Sequence, residues 1–267
     1  MSDIISIFNY DFMIRAVIAG TLISLCASML GVPLVLKKYS MIGDGLSHVA
    51  FGALSVALVF NVSPLYIAIP VVLIFAFLIL KINSESKINA DSAIALLSCS
   101  ALAVGIIVTS VNSGVNIDIN SLMFGSVLSI DKSDLILSIL ISAFVIIIYT
   151  MCFNKIYIIT FDESFAKSSG INYDFYNMII ALLTALVIVV GMRLMGTLLI
   201  SGLIIFPAII SIRIFKGFKS VVIFSAIISV FCFISGVVIS AMLSIPTGAS
   251  IVIVNLAVFF ISKVFIR

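Results

Sequence analysis

Long apolar runs, separated by short polar breaks, recur along almost the whole chain. A helix that crosses a bilayer needs about 20 predominantly apolar residues. Nine runs approach that length: 12–36, 42–60, 64–81, 91–110, 134–152, 175–191, 194–212, 219–242 and 248–264. The sixth and seventh are nearly continuous, because only the segment GMRLMG separates them. The pattern therefore predicts an all-α, polytopic helical membrane protein with eight or nine transmembrane helices.

The composition leaves no room for a separate soluble domain. Hydrophobic residues fill 63% of the 267 positions and charged residues only 9%, whereas about 25% is usual in soluble domains. We therefore expect residues 1–267 to form a single transmembrane domain. The first segment, MSDIISIFNYDF, has no basic n-region, so we expect no cleaved signal peptide. The net charge of +3 comes from loop lysines and does not indicate a nucleic-acid surface.

The basic residues indicate how the helices are oriented, because cytoplasmic loops carry an excess of Lys and Arg. With the N-terminus outside and the C-terminus inside, the cytoplasmic side receives Lys37, Lys38, Lys81, Lys87, Lys155, Lys167, Arg213, Lys216, Lys219, Lys263 and Arg267. The opposite loops at 61–64, 112–120 and 244–248 contain neither Lys nor Arg. Lys132 and Arg193 are exceptions, and we interpret Arg193 as an anchor at the outer interface.

One apolar run contains a carboxylate and an imidazole. The segment GDGLSHVAFGAL, residues 43–54, carries Asp44 and His48, and His48 is the single histidine of the chain. Positions i and i+4 share one face of a helix. At about 1.5 Å per residue, His48 lies roughly 15 Å beyond Lys38, near the middle of the bilayer core. Ionisable groups at that depth are functional candidates by default, and this pair suits zinc, iron or manganese as ligands.

The spacing alone leaves a structural interpretation of this pair open. Asp44 and His48 could simply hydrogen-bond each other, or cap a helix that begins near Gly43. Gly43, Gly45 and Ser47 are small residues that allow close helix packing with or without a metal.

The predicted cytoplasmic loop at 160–175 is a candidate docking segment. Thr160 and Glu163 have the spacing of a capping box, which predicts a helix that begins near Phe161. Gly170 then provides a C-terminal stop, giving a single helix of about nine residues. Phe161 and Phe165 would share one face, with polar contacts from Asp162, Glu163 and Lys167. The alternative is an ordinary helix that lies on the lipid headgroups.

Two other positions are candidates for movement. Pro207 lies inside a predicted span, where it must kink the helix or free a carbonyl, and it is a candidate point of flexing. The segment around Asp118, Asn120 and Phe124 is too polar at its start to span the membrane. We expect a short re-entrant or interfacial helix there, with Phe124 as a candidate gate.

The chain resembles the permease subunits of bacterial ABC importers for zinc, manganese and iron. KKYSMIGDGLSHVAFGAL is similar to the second-helix motif of that family, although Gly45 replaces its usual Ala or Thr. Four further matches follow in order: SLMFGSVLSI at 121–130, FDESFAKSSGI at 161–171, MGTLLISGLIIFPAIIS at 195–211 and PTGASIVIVNLAVFF at 246–260. The segment at 161–171 covers the cytoplasmic D-x-x-x-A-x-x-x-G loop, on which Asp162, Ala166 and Gly170 match.

The resemblance implies a fold like that of type II ABC importers and a multi-pass location in the bacterial cytoplasmic membrane. Asp44 and His48 would line the translocation path and coordinate a divalent metal in passing, with no permanently bound cofactor. The segment 160–175 would be the coupling helix that docks on the ATPase. The implied partners are two cytoplasmic ATP-binding subunits, an extracytoplasmic metal-binding protein, a second copy of the chain and membrane lipid.

Two other functions compete with this one. The chain has no G-x-x-x-x-G-K-[ST] loop, so it is not itself an ATPase by that route, but a carrier or channel could use the same Asp–His site without ATP. An intramembrane aspartyl protease would need two carboxylates at one site. Asp44 and Asp174 are the candidates, although Met41 stands where the G-x-G-D motif has glycine.

Overall fold

The computed structural model describes residues 11–60, 62–85, 90–111 and 130–265. Every regular element in these ranges is a helix. The helices are α1 (Asp11–Leu36), α2 (Met41–Val59), α3 (Pro64–Glu85), α4 (Ala90–Val111), α5 (Lys132–Met151), α6 (Phe153–Phe161), α7 (Glu163–Ser168), α8 (Tyr173–Met195), α9 (Thr197–Ile214), α10 (Phe218–Leu243) and α11 (Thr247–Phe265). Phe124 lies outside the described residues, so its role as a gate stays a prediction.

Eight of the described helices are long and apolar enough to cross a membrane, namely α1 to α5 and α8 to α10. The apolar part of α11, Thr247–Lys263, is slightly shorter. The predicted class, an all-α protein with eight or nine transmembrane helices, is therefore confirmed.

The apolar run at 175–212 is divided by a single glycine. Gly196 has φ +85° and ends α8, and α9 begins at the next residue. A left-handed backbone of this kind is readily adopted by glycine and strained for other residues. The run therefore forms two helices, as the segment GMRLMG suggests.

The interior of the bundle is formed by α1, α2, α8 and α9. Helix α1 packs against α5, α8, α9 and α10, while α2 packs against α3, α4, α8 and α9. Most of the residues along α1, α2 and α8 are buried, whereas α4 is largely exposed. Side chains such as Ile107 on α4 and Leu140 on α5, 61% and 65% exposed, suit contact with lipid tails.

Helices α2 and α4 approach each other at backbone distance. A Cβ atom on Gly105 would lie 2.9 Å from the Cα atom of Gly52, and one on Gly52 would lie 2.5 Å from the carbonyl oxygen of Ala101. Without a hydrophobic driving force inside the bilayer, helices associate largely by such close van der Waals packing of small residues. Gly52 and Gly105 therefore fix the distance between the helix that carries Asp44 and its neighbour.

The capping box predicted at Thr160 and Glu163 is wrong. The Thr160 hydroxyl donates to the Ile156 carbonyl at 2.6 Å inside α6, so it is already satisfied within that helix. Asp162 instead has an extended backbone, and its side chain accepts the Phe165 N–H at 2.9 Å. The segment consequently forms the end of α6 and a separate six-residue helix, α7, instead of one helix of nine residues.

The predicted stop at Gly170 is confirmed. Gly170 has φ +74°. Its N–H donates to the Lys167 carbonyl, and the Ile171 N–H donates to the Ala166 carbonyl. These two bonds form a Schellman motif, the common way in which a glycine ends a helix. Asn172 then accepts the Phe175 N–H and begins α8, so only four residues separate α7 from α8.

Candidate functional site

Asp44 and His48 lie together on one face of α2. The Asp44 Oδ2 and His48 Nε2 atoms are 3.6 Å apart, and the two side chains are 44% and 25% exposed. Helix α2 begins at Met41, and Ser40 at its N-cap makes no side-chain capping bond. Asp44 therefore stands inside the first turn and does not cap the helix.

The small residues around the pair serve close packing, as the sequence suggests. Gly43 faces Ile204 of α9, and Gly45 faces Ile94 of α4. Ser47 is fully buried and donates back to the Asp44 carbonyl at 2.7 Å. Packing accounts for these three residues, whereas Asp44 and His48 remain partly exposed on the same helix.

Ser201 of α9 is a third polar residue at this site, which the sequence analysis missed. Its hydroxyl donates to Asp44 Oδ1 at 3.4 Å, and it also approaches the Thr197 carbonyl at 3.1 Å. Ser201 is 8% exposed. Its place within the segment MGTLLISGLIIFPAIIS, as a polar residue in a long apolar run, is the signal that could have revealed it.

The geometry of the pair suits two ligands of one metal ion. Carboxylate oxygen and imidazole nitrogen bind zinc at about 2.0–2.2 Å, so two such ligands on one tetrahedral ion are separated by about 3.4 Å. The observed 3.6 Å is close to that value. Among the described residues, no third His, Cys, Asp or Glu completes a cluster with the pair. One chain therefore offers two ligands of this kind, and Ser201 is the polar group beside them.

Asp174 lies in a different environment from Asp44. It lines a cavity of about 650 Å³ together with Glu163 and Lys167 of α7, whereas the polar contacts of the Asp44 carboxylate are His48 and Ser201. A shared carboxylate site of the aspartyl-protease type is therefore disfavoured.

The candidate docking segment presents two aromatic side chains to solvent. Phe161 at the end of α6 and Phe165 on α7 are 58% and 55% exposed. Ala166 is fully buried, and Asp162 and Gly170 set the two ends of α7. The segment therefore has one apolar exposed side and one buried side, although Phe161 and Phe165 belong to different helices.

Glu163 and Lys167 form an ion pair on α7. The Lys167 Nζ donates to Glu163 Oε1 at 2.6 Å. This hydrogen bond lowers the pKa of Glu163, and the same bond raises the pKa of Lys167. Because both side chains are more than half exposed, the pair adds little to stability.

Arg193 has a partner that the interfacial interpretation did not include. Its Nη2 atom lies 3.0 Å from Asp134 Oδ1, and the Asp134 side chain is 9% exposed against 35% for Arg193. The bond joins the last turn of α8 to the first turn of α5.

Pro207 lies buried within α9, which remains one continuous helix. Flexing at Pro207 stays a prediction.

The described residues thus form a multi-span helical bundle that holds a partly exposed carboxylate and imidazole on one of its central helices. The sequence profile of the ABC 3 transport family matches residues 9–266. The chain belongs to that family, and it is a multi-pass protein of the cytoplasmic membrane.

Similar proteins agree with this assignment along nearly the whole chain. The manganese import system permease protein ScaB of Streptococcus gordonii is 27% identical over 254 residues, covering 95% of this chain and 91% of ScaB. The high-affinity zinc uptake system membrane protein ZnuB of Haemophilus influenzae is 30% identical over 256 residues, covering 95% and 97%. Among solved structures, PsaBC from Streptococcus pneumoniae in complex with Fab superposes with a TM-score of 0.88 at 27% identity, covering 98% of this chain and 94% of that one.

Proposed function

We propose that this chain is the permease subunit of an ATP-driven importer for a divalent transition metal and that it works as a homodimer. The observation that carries the proposal is the Asp44–His48 pair, with its donor atoms 3.6 Å apart on a helix of the bundle interior. An ionisable pair within a membrane bundle marks a path for an ion or substrate. A dimer would bring two such pairs to one central path.

The small number of ligands supports a site through which the ion passes, and not one that stores it. Structural zinc sites use four fixed protein ligands, whereas sites that exchange a ligand keep an open position. Asp44 and His48 supply two ligands per chain, so water or the second copy would complete the shell. The metal is cargo in this proposal, and no permanently bound cofactor is needed.

The energy would come from two ATP-binding subunits on the predicted cytoplasmic side. The chain has no phosphate-binding loop of the G-x-x-x-x-G-K-[ST] type, so ATP hydrolysis is assigned to a partner. Phe161 and Phe165 form the exposed apolar part of the segment that would dock there. A metal-binding protein on the outer side would deliver the ion.

The identity of the ion is proposed as a class. ScaB is named for manganese and ZnuB for zinc, and both are similar to this chain over more than nine-tenths of its length. A carboxylate–imidazole set accepts either ion, and ferrous iron as well, because geometry and availability decide selectivity among divalent metals in cells. Uptake should therefore be measured with manganese, zinc and ferrous iron in parallel.

The first test compares the chain alone with the assembled transporter in liposomes. We expect uptake of at least one of the three metals when the chain is reconstituted with its ATPase and binding protein and supplied with ATP. Uptake should fall to background with the chain alone, or with an ATPase whose phosphate-loop lysine is replaced. Metal uptake by the chain alone at the rate of the full assembly would overturn the proposal in favour of an ATP-independent carrier.

A second test addresses the docking segment. Replacing Phe165 by alanine should weaken co-purification of the ATPase by about 10-fold or more, because a central aromatic anchor commonly contributes 2 kcal/mol or more to an interface. Phe231→Ala is the matched control, since Phe231 is 61% exposed on the transmembrane helix α10. Equal ATPase recovery with Phe165→Ala and Phe231→Ala would favour the alternative of a helix that only lies on lipid headgroups.

A further inference from the structure

Three segments of the chain meet around the ring of Tyr173. Lys37, directly after α1, places its Nζ atom 4.5 Å from the centre of the ring and donates to Asn177 Oδ1 at 2.7 Å. Lys167 of α7 places its Nζ atom 5.4 Å from the same ring centre and is bonded to Glu163. These five residues, Lys37, Glu163, Lys167, Tyr173 and Asn177, are called the Tyr173 cluster below.

Within the Tyr173 cluster, the ammonium group of Lys37 is partly removed from water. Burial lowers the pKa of Lys37 to about 8, although the negative charges of Glu163 and Asp174 act in the opposite direction. The Asn177 oxygen and the face of the Tyr173 ring replace part of the lost hydration, since an aromatic face attracts a cation most strongly where both are shielded from water. The contact between Lys37 and α8 is therefore specific and partly desolvated.

A short, hydrogen-bonded turn joins Lys37 to α2, the helix that carries Asp44 and His48. The Tyr39 N–H donates to the Leu34 carbonyl, and the Lys38 N–H donates to the Val35 carbonyl. With Lys38 at φ +62°, these bonds form a Schellman end for α1. The Ile42 N–H then donates to the Tyr39 carbonyl. Helix α2 begins at Met41 and carries Asp44 seven residues after Lys37. Because the turn is short and its backbone is hydrogen-bonded, it is stiff.

Helix α7 packs against little of the bundle. Its main backbone neighbours are α6 and α8, the helices that adjoin it in sequence. A cavity of about 650 Å³ is lined by Glu163 and Lys167 of α7 together with Phe77 and Lys81 of α3. Side chains from α7 and from the α1–α2 turn both reach the Tyr173 ring, because the Nζ atoms of Lys167 and Lys37 lie 5.4 and 4.5 Å from its centre.

We infer that Tyr173 and Lys37 are positioning residues that transmit displacement of α7 to the α1–α2 turn and so to Asp44 and His48. The inference rests on the proposed function, because it takes α7 as part of the segment that docks on the ATPase. Movement of α7 shifts Lys167, which is bonded to Glu163, against the face of the Tyr173 ring. Lys37 follows the ring and Asn177, and the stiff turn carries the shift into the first turn of α2.

The test measures metal uptake and ATP hydrolysis in the same liposomes, using the complete transporter. The reference is a wild-type complex that shows ATP-dependent uptake. Tyr173→Leu removes the ring, and Lys37→Met removes the cation. For both variants we expect hydrolysis within twofold of wild type and at least a fivefold fall in metal transported per ATP hydrolysed. Tyr173→Phe keeps the ring and should keep the ratio within twofold. Lys38→Met is the matched control, because Lys38 is the exposed neighbour of Lys37.

The outcomes separate this inference from the proposed function. A wild-type complex that imports metal without ATP would overturn the proposed function itself. With wild type coupled, an unchanged ratio in both Tyr173→Leu and Lys37→Met would overturn the inference. A parallel loss of uptake and hydrolysis in Lys37→Met would also overturn it, because that result indicates a role in assembly alone. If Tyr173→Leu is recovered in low yield, the test rests on the metal transported per ATP hydrolysed by Lys37→Met, compared with Lys38→Met.

Discussion

Metal uptake is expected to fall by at least about 10–100-fold when either Asp44 or His48 is replaced by alanine. Even residues that only support metal ligands cost this much when they are changed, and each variant removes one of the two candidate ligands that a chain provides. Asp44→Asn is the sharper variant, because it keeps the size of the side chain and removes its charge. It should lose nearly as much uptake as Asp44→Ala.

The measurement is metal uptake by cells that carry the chain with its ATPase and binding protein, at equal abundance in the membrane. Ser55→Ala is a matched control on the same helix, since the buried Ser55 hydroxyl has no hydrogen-bond partner among the described residues. It should leave uptake within about twofold, because Ser55 is not a metal ligand in the proposal. Wild-type uptake in both Asp44→Ala and His48→Ala would return the pair to a role in helix packing.

Arg193→Met is expected to cause the largest loss of stability. It leaves the Asp134 carboxylate buried without the guanidinium that lies 3.0 Å away. Breaking a buried ion pair by removing one partner costs about 3–5 kcal/mol, and we expect the lower end because the Arg193 side chain is 35% exposed. The readout is the unfolding of the purified protein in detergent, followed by circular dichroism.

A double substitution and a second arginine make this prediction specific. Asp134→Asn combined with Arg193→Met removes both charges and should recover most of the lost stability. Arg213 is exposed and lies 4.6 Å from the centre of the Phe259 ring, so Arg213→Met should cost no more than about 1 kcal/mol. Equal losses in Arg193→Met and Arg213→Met would contradict the assignment of Asp134–Arg193 as a structural pair.

Features set by local sequence were predictable. The helices follow from apolar runs of about 20 residues, and Gly170 ends α7 because a glycine adopts positive φ without strain. The proximity of Asp44 and His48 follows from their spacing of four residues on a helix. Each of these predictions depends on residues within one or two helical turns of each other.

Features that depend on which helices meet were not predictable. Ser201 is marked as a polar residue in an apolar run, but it stands 157 residues from Asp44, and nothing in the local pattern shows that α9 packs beside α2. The Asp134–Arg193 pair and the contact of Lys37 with Tyr173 were missed for the same reason. The error at Thr160 is different: α6 continues through that residue, so a carbonyl one turn earlier captures its hydroxyl and leaves Asp162 to cap α7.

The backbone contact between Gly52 and Gly105 has a consequence for genetic screens. Any side chain at either position would push α2 and α4 apart, so a library of single substitutions selected for growth on scarce metal would reject nearly every change there. Under the proposed function, Asp44 and His48 would show the same profile of intolerance because they bind the metal. Growth alone would not distinguish the two groups. The amount of protein in the membrane would distinguish residues that build the bundle from the proposed metal ligands.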